Sequence, residues 1–285
     1  MDLISKKIGE GTHGVVYVSS YSPDIAIKVF KNIKISKQTC QSVDDGISIT
    51  NKIVDLCDGN EYLIHEKIEK SMKSLRKNEK NDFIYIPQTY GFKNFDENNC
   101  SYSMERLSPI QGEQLCHLSF NQPLDYYSIN KHGIFMGIET IKKELDYFIT
   151  EEILMEIVKA LATMLSHIHY FHMMDGFDAE FVLALNSKKE VVVAVIDFDK
   201  VSTYKLDGYP YCISRKMTEE NYDHRNIKSV QGVVKLLATS IMYAPLPSMN
   251  PYYSEWRRSY IEYAKKVDKF DLAIMVVEKY EDLWS

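Results

Sequence analysis

Hydrophobic and polar residues alternate in the first third of the chain. Ile25, Ile27 and Val29 are spaced by Ala26 and Lys28, a period of two that predicts a half-buried strand. Val15, Val16, Tyr17 and Val18 form another β-like run immediately after a group of glycines. From Glu61 to about Arg76 the period lengthens. Tyr62, Ile64 and Ile68 share one side, while Lys67, Lys70, Lys73 and Lys77 fall largely off it, predicting a helix with a solvated basic face. The polar stretch 77–82 then leads into two β-like segments, 84–92 and 101–107, which read as a strand pair.

Past Leu107 the pattern is mostly helical. Thr150 followed by Glu151 and Glu152 predicts a helix start, because a hydroxyl cap and early carboxylates suit the N-terminal dipole. Apolar residues from Ile153 to Ile168 then keep to one face. Two short β-like runs, 181–185 and 191–198, follow, and helices resume from about Asn226. A β-rich front and a helical rear imply an α+β, two-lobed layout, with a first lobe at 1–107 and a second at 108–285.

Composition narrows the possibilities. A chain of 285 residues with 45% hydrophobic content can build one large core, or two smaller ones sharing a cleft. A net charge of −6 argues against nucleic acid or an anionic membrane as partner. Cys40, Cys57, Cys100, Cys116 and Cys212 are scattered, without metal or disulfide spacing, which predicts a reducing, cytoplasmic compartment. The N-terminus is charged where a signal peptide is apolar, and no run approaches the ~18 apolar residues of a membrane span. Tyr252, Tyr253, Trp256, Tyr260 and Tyr263 are expected to pack against the helical core.

The chemistry begins at Gly9-Glu10-Gly11-Thr12-His13-Gly14-Val15-Val16. A G-x-G-x-x-G that opens a helix marks a dinucleotide fold, but here the glycines run into a strand. That context makes a glycine turn between two strands, where small residues let backbone N–H groups approach phosphate oxygens. Fourteen residues beyond Gly14, Ile25-Ala26-Ile27-Lys28 places a lysine on the next strand. At the end of the apolar run Val195-Ile196, Asp197-Phe198-Asp199 puts a carboxylate where burial is costly unless a cation or donors meet it.

Together these residues resemble the eukaryotic-type protein kinases, specifically in the first lobe and loosely in the second. The resemblance implies that Gly9, Gly11, Gly14 and Val16 cover ATP and that Lys28 contacts its phosphates. It pairs Lys28 with Glu61, with Glu66 as the other candidate. Met104 would stand behind the adenine, Glu105 through Leu107 would be the hinge that binds it, and Asp197 would hold Mg2+. The catalytic loop departs from the family pattern. Either Asp178 or Asp175 would orient the acceptor hydroxyl. The Asp178 register, slightly favoured on strand spacing, puts Leu183 at the second metal position; the Asp175 register puts Glu180 there. Neither supplies the family's loop lysine. Asp199 replaces the usual glycine and is a further metal candidate.

The implied activity is transfer of the ATP γ-phosphate to a serine or threonine hydroxyl of a protein. The alternatives are a pseudokinase that binds nucleotide or a protein partner, and a small-molecule phosphotransferase. The short stretch between Asp199 and Asn226 leaves little room for a regulatory phosphorylation loop. The Ile-, Lys-, Asn- and Tyr-rich usage resembles that of kinases from large DNA viruses or intracellular pathogens.

Overall fold

The alternation around Lys28 becomes the centre of an antiparallel sheet. The computed structural model describes residues 4–11, 14–31, 61–94, 100–120, 122–130, 133–145, 149–177, 179–198, 201, 204, 229–241 and 250–284. Within them, β1 (Ile4–Glu10), β2 (Gly14–Ser19), β3 (Ile25–Phe30), β5 (Thr89–Asn94) and β6 (Cys100–Glu105) form a sheet in the order β1-β2-β3-β6-β5. Because β3 lies between β2 and β6, Ala26 through Phe30 are all buried, so the strand is covered on both faces rather than one.

Helix α1 (Glu61–Glu79) lies against this sheet through Tyr62, which packs on Tyr102 and Phe92. It also buries Ile64, Ile68, Met72 and Leu75 in the main core, shared with the helices of the second half. Each such aliphatic side chain contributes about 1.5–3 kcal/mol when fully buried. The expected pairing of 84–92 with 101–107 is made by β5, which runs antiparallel to β6, while the start of that segment, β4 (Ile84–Tyr85), runs parallel to β11 (Val191–Ile196) in a second sheet.

That second sheet has the order β4-β11-β10-β7-β9-β8 and corrects the helical expectation for the segment after Leu107. Strands β7 (Cys116–Leu118), β8 (Tyr127–Asn130) and β9 (Gly133–Met136) extend the hairpin of β10 (Glu180–Leu185) and β11. They are only three or four residues long, and their register comes from β10, far away in the chain.

The helical expectation holds further on. After α2 (Ile138–Glu144), α3 (Glu151–Ser166) starts at Thr150, whose hydroxyl accepts from the Ile153 N–H at 3.3 Å. It continues into a π-helical turn at His167–Phe171. Helices α4 (Val230–Ile241), α5 (Tyr253–Lys266) and α6 (Phe270–Trp284) complete the rear. Trp256 is fully buried, stacked between Tyr253 and Tyr260, and Tyr252 and Tyr263 are buried too. The fold is α+β, a β-rich front against a helical rear.

Candidate functional site

Between the two sheets lies a cleft, partly open to solvent. Its roof is Ile8, Gly9, Gly11 and Val16 from the first hairpin, with Ala26 and Lys28 from β3. Its back is Glu61, His65, Tyr102 and Met104, and its floor includes Leu107, Leu115, His117, Glu180, Ile196 and Asp197.

Three charged side chains converge inside. Lys28 Nζ donates to Glu61 Oε1 at 2.6 Å and to Asp197 Oδ1 at 3.0 Å, linking β3, α1 and the end of β11. Burial opposes the charge on Lys28, but Asp197 and Glu61 more than offset it and hold the pKa above that of an ordinary lysine. For Glu61 burial dominates and raises the carboxyl pKa, against the pull of Lys28. Tyr102 Oη donates to Glu61 Oε1 at 2.9 Å, whereas Glu61 Oε2 is buried without a hydrogen-bond partner among the described residues. Glu66, the other candidate partner, turns outward and pairs with Lys70 at 3.4 Å. Asp197 adopts φ +58°, a left-handed conformation unfavourable for a non-glycine residue by roughly 1–2 kcal/mol.

The glycine turn is closed by the Gly11 N–H, which donates to the Gly14 carbonyl at 2.9 Å. Lys31 ties it to the end of β3 by binding the Glu10 carboxylate and, at 2.9 Å, the Gly11 carbonyl. With Lys31 and Lys7 beside it, the Glu10 carboxyl is held down at about 2. Gly14, expected over a phosphate, is buried and lies outside the cleft wall. A Cβ there would sit 3.0 Å from the Val29 carbonyl oxygen and 3.1 Å from Lys28 Cε, so its smallness makes room for the lysine stem.

Met104, Glu105 and Leu107 line the cleft, and the Glu105 side chain has a role the sequence did not suggest. Its buried carboxylate accepts from Tyr85 Oη at 2.5 Å, the Gln88 N–H at 3.3 Å and the Ser187 N–H at 2.8 Å, joining the two sheets. Burial would raise its pKa, but these donors outweigh burial and lower it.

The catalytic-loop region requires corrections. Leu183, the metal-position residue of the Asp178 register, is fully buried in the main core opposite Val193. Glu180 instead begins β10 opposite Ile196, which puts it beside Asp197 in the cleft wall. Asp175 is buried and absent from that wall, its Oδ1 accepting from the Phe177 N–H at 3.1 Å. It is therefore turned into the fold rather than toward an acceptor. Asp178 and Asp199 lie outside the described residues.

Several cleft residues escaped the sequence reading, among them Ile8, His65, Tyr102 and His117. His65 Nε2 donates to the Pro87 carbonyl at 2.7 Å, and burial lowers its pKa to about 4, so it is a neutral ring at the back of the cleft. The apolar spacing of α1 is the one local signal that pointed toward this position. Among the described residues no three His, Cys, Asp or Glu side chains converge as an all-protein metal cage. The hard oxygens of Asp197 and Glu180 suit a cation that also takes phosphate oxygens.

No family model matches the chain. No characterised protein matches it in sequence. Among solved structures, 104 chains match it significantly. One is the CAK complex from Chaetomium thermophilum bound to ATP-gamma-S, 14% identical over 99% of this chain and 84% of that one, with a TM-score of 0.33. Among the described residues no helix is long and apolar enough to cross a membrane.

Proposed function

We propose that the chain binds ATP with Mg2+ in this cleft and transfers the γ-phosphoryl group to a serine or threonine hydroxyl of a protein. One observation carries the reading: a buried lysine shared by two carboxylates from distant segments, directly beneath a glycine turn. Structure alone has little reason to bury a lysine and a glutamate beside an open cavity, with the half-buried Asp197 against them, since such ion pairs seldom stabilise a fold more than apolar packing does. Phosphoryl transfer does need them, because its catalysis is mostly positioning and charge neutralisation.

In this reading Lys28, aligned by Glu61, orients the phosphates, and the backbone of the glycine turn covers them. Ala26, Met104 and Leu107 offer an apolar slot for the base. Asp197 and Glu180 would hold the cation, which supplies neutralisation of the phosphate charge. With Asp175 turned inward, Asp178 is our candidate to orient the acceptor hydroxyl. In the transfer the bond from the γ-phosphorus to the β,γ-bridging oxygen breaks as the bond to the acceptor oxygen forms, ADP leaves with the bridging oxygen, and the hydroxyl proton passes to the Asp178 carboxylate.

A second reading, a nucleotide-binding module without transfer, is favoured by the inward turn of Asp175 and by Phe177, which stands where the Asp175 register expects a lysine. Phosphate transfer from labelled ATP to a panel of generic protein substrates separates the two. The kinase reading predicts magnesium-dependent transfer that falls roughly a hundred- to a thousandfold in Lys28→Ala and in Asp197→Asn. Nucleotide binding with no transfer in the unmodified protein would establish the module instead.

A further inference from the structure

His117 comes from the short strand β7, and its ring reaches the cleft beside Glu180. Its position is built. His117 pairs with Val182 of β10 on one side and Phe135 of β9 on the other. The ring stacks on Phe135, with centroids 4.6 Å apart and planes 19° from parallel. Opposite it is Gly133, where a Cβ would come within 2.5 Å of His117 Cδ2, so only glycine admits the ring. The clamped imidazole presents Nδ1 to Glu180 Oε2 at 3.2 Å. A carboxylate oxygen only accepts, so a hydrogen bond across this gap needs the proton on Nδ1. The approach is off the ideal line, and this buried nitrogen has no aligned acceptor among the described residues. The Glu180 side chain is 39% exposed, that of His117 only 8%.

We propose that His117 is a positioning residue for Glu180, engaging one carboxylate oxygen so that the other is aimed at a divalent cation shared with Asp197. This rests on the reading of Glu180 and Asp197 as cation-holding groups. Donors behind a ligating carboxylate fix its orientation, and their loss typically costs about 10–100-fold in metal affinity. The strands β7–β9 would then have a role in the site itself, supplying order that the degenerate catalytic loop does not.

The experiment measures the affinity of a non-hydrolysable ATP analogue across a Mg2+ titration, so that no turnover is needed. His117→Phe keeps the stack on Phe135 and loses the donor; His117→Asn restores a donor near the Nδ1 position. The proposal predicts that His117→Phe needs about tenfold more Mg2+ for half-maximal enhancement of binding, with analogue affinity in chelator unchanged, and that His117→Asn recovers most of the loss. An unaltered Mg2+ requirement in His117→Phe, or no recovery in His117→Asn, overturns the proposal and leaves the cation reading standing. Analogue binding that ignores Mg2+ in the unmodified protein overturns the cation reading, and this proposal with it.

Discussion

Lys28 is held in a setting that would be costly for an isolated ammonium group, and the residues around it reflect that. Two carboxylates keep it charged, and Gly14 gives its stem passage. The two glycines flanking the turn therefore differ in kind. A Cβ at Gly14 meets the Val29 backbone and the Lys28 stem, whereas one at Gly11 meets nothing within 4 Å. Gly14→Ala should cost roughly 1–3 kcal/mol through overpacking and should also weaken nucleotide binding. Gly11→Ala should leave the urea midpoint nearly unchanged. Equal midpoints for the two variants would contradict this division.

At the level of elements, α1 is fastened to the rear half by a polar seam. Ser71 Oγ donates to the Ile68 carbonyl, so the two imidazole nitrogens at 2.7 Å, His167 Nε2 and His172 Nε2, both donate to it. Burial is the main cause that lowers the pKa of His65 and His167 to about 4 and of His169 and His172 to about 3. Their folded values lie below the ordinary 6.5, so the unfolded chain binds more protons between about pH 6.5 and 3. The stability these rings contribute is fully present above that window and lost as the pH falls through it. The raised Glu61 carboxyl works in the opposite sense, but four imidazoles outnumber it. Urea melts at about pH 7.5 and 5 should show a clearly lower midpoint at the acid value; a flat profile would mean that the rings are not buried neutral.

Which elements the sequence revealed follows from where their stabilisation comes from. Strand β3, α1 and α3 carry their own periodicity, and the Thr150 cap is a local signal. Strands β7–β9 are too short for a period and exist because β10 gives them an edge to pair with, which no window of sequence contains. His117 was lost with them. Leu183, which the Asp178 register puts where the family has a metal-binding asparagine, is a core residue paired with Val193, and counting residues to a strand start does not say which face a side chain takes. Gly14 opens β2, and the reason for its small size lies in the neighbouring strand β3.

Over the whole molecule, the front and rear share buried apolar packing. One apolar cluster runs from Ile64 and Met72 of α1 to Trp256 and Tyr280, and Glu105 ties the sheets together at the mouth of the cleft. That continuity is what can hold Lys28, Glu61 and Asp197, far apart in sequence, at fixed distances. If the cleft exists to receive a magnesium-bound nucleotide, calorimetric titration with Mg-ATP is the direct test. The account predicts saturable one-to-one binding, weakened at least about tenfold in Lys28→Ala by loss of a charge-assisted contact worth roughly 1.5–3 kcal/mol. No heat of binding in the unmodified protein, or equal affinity in the variant, would contradict it.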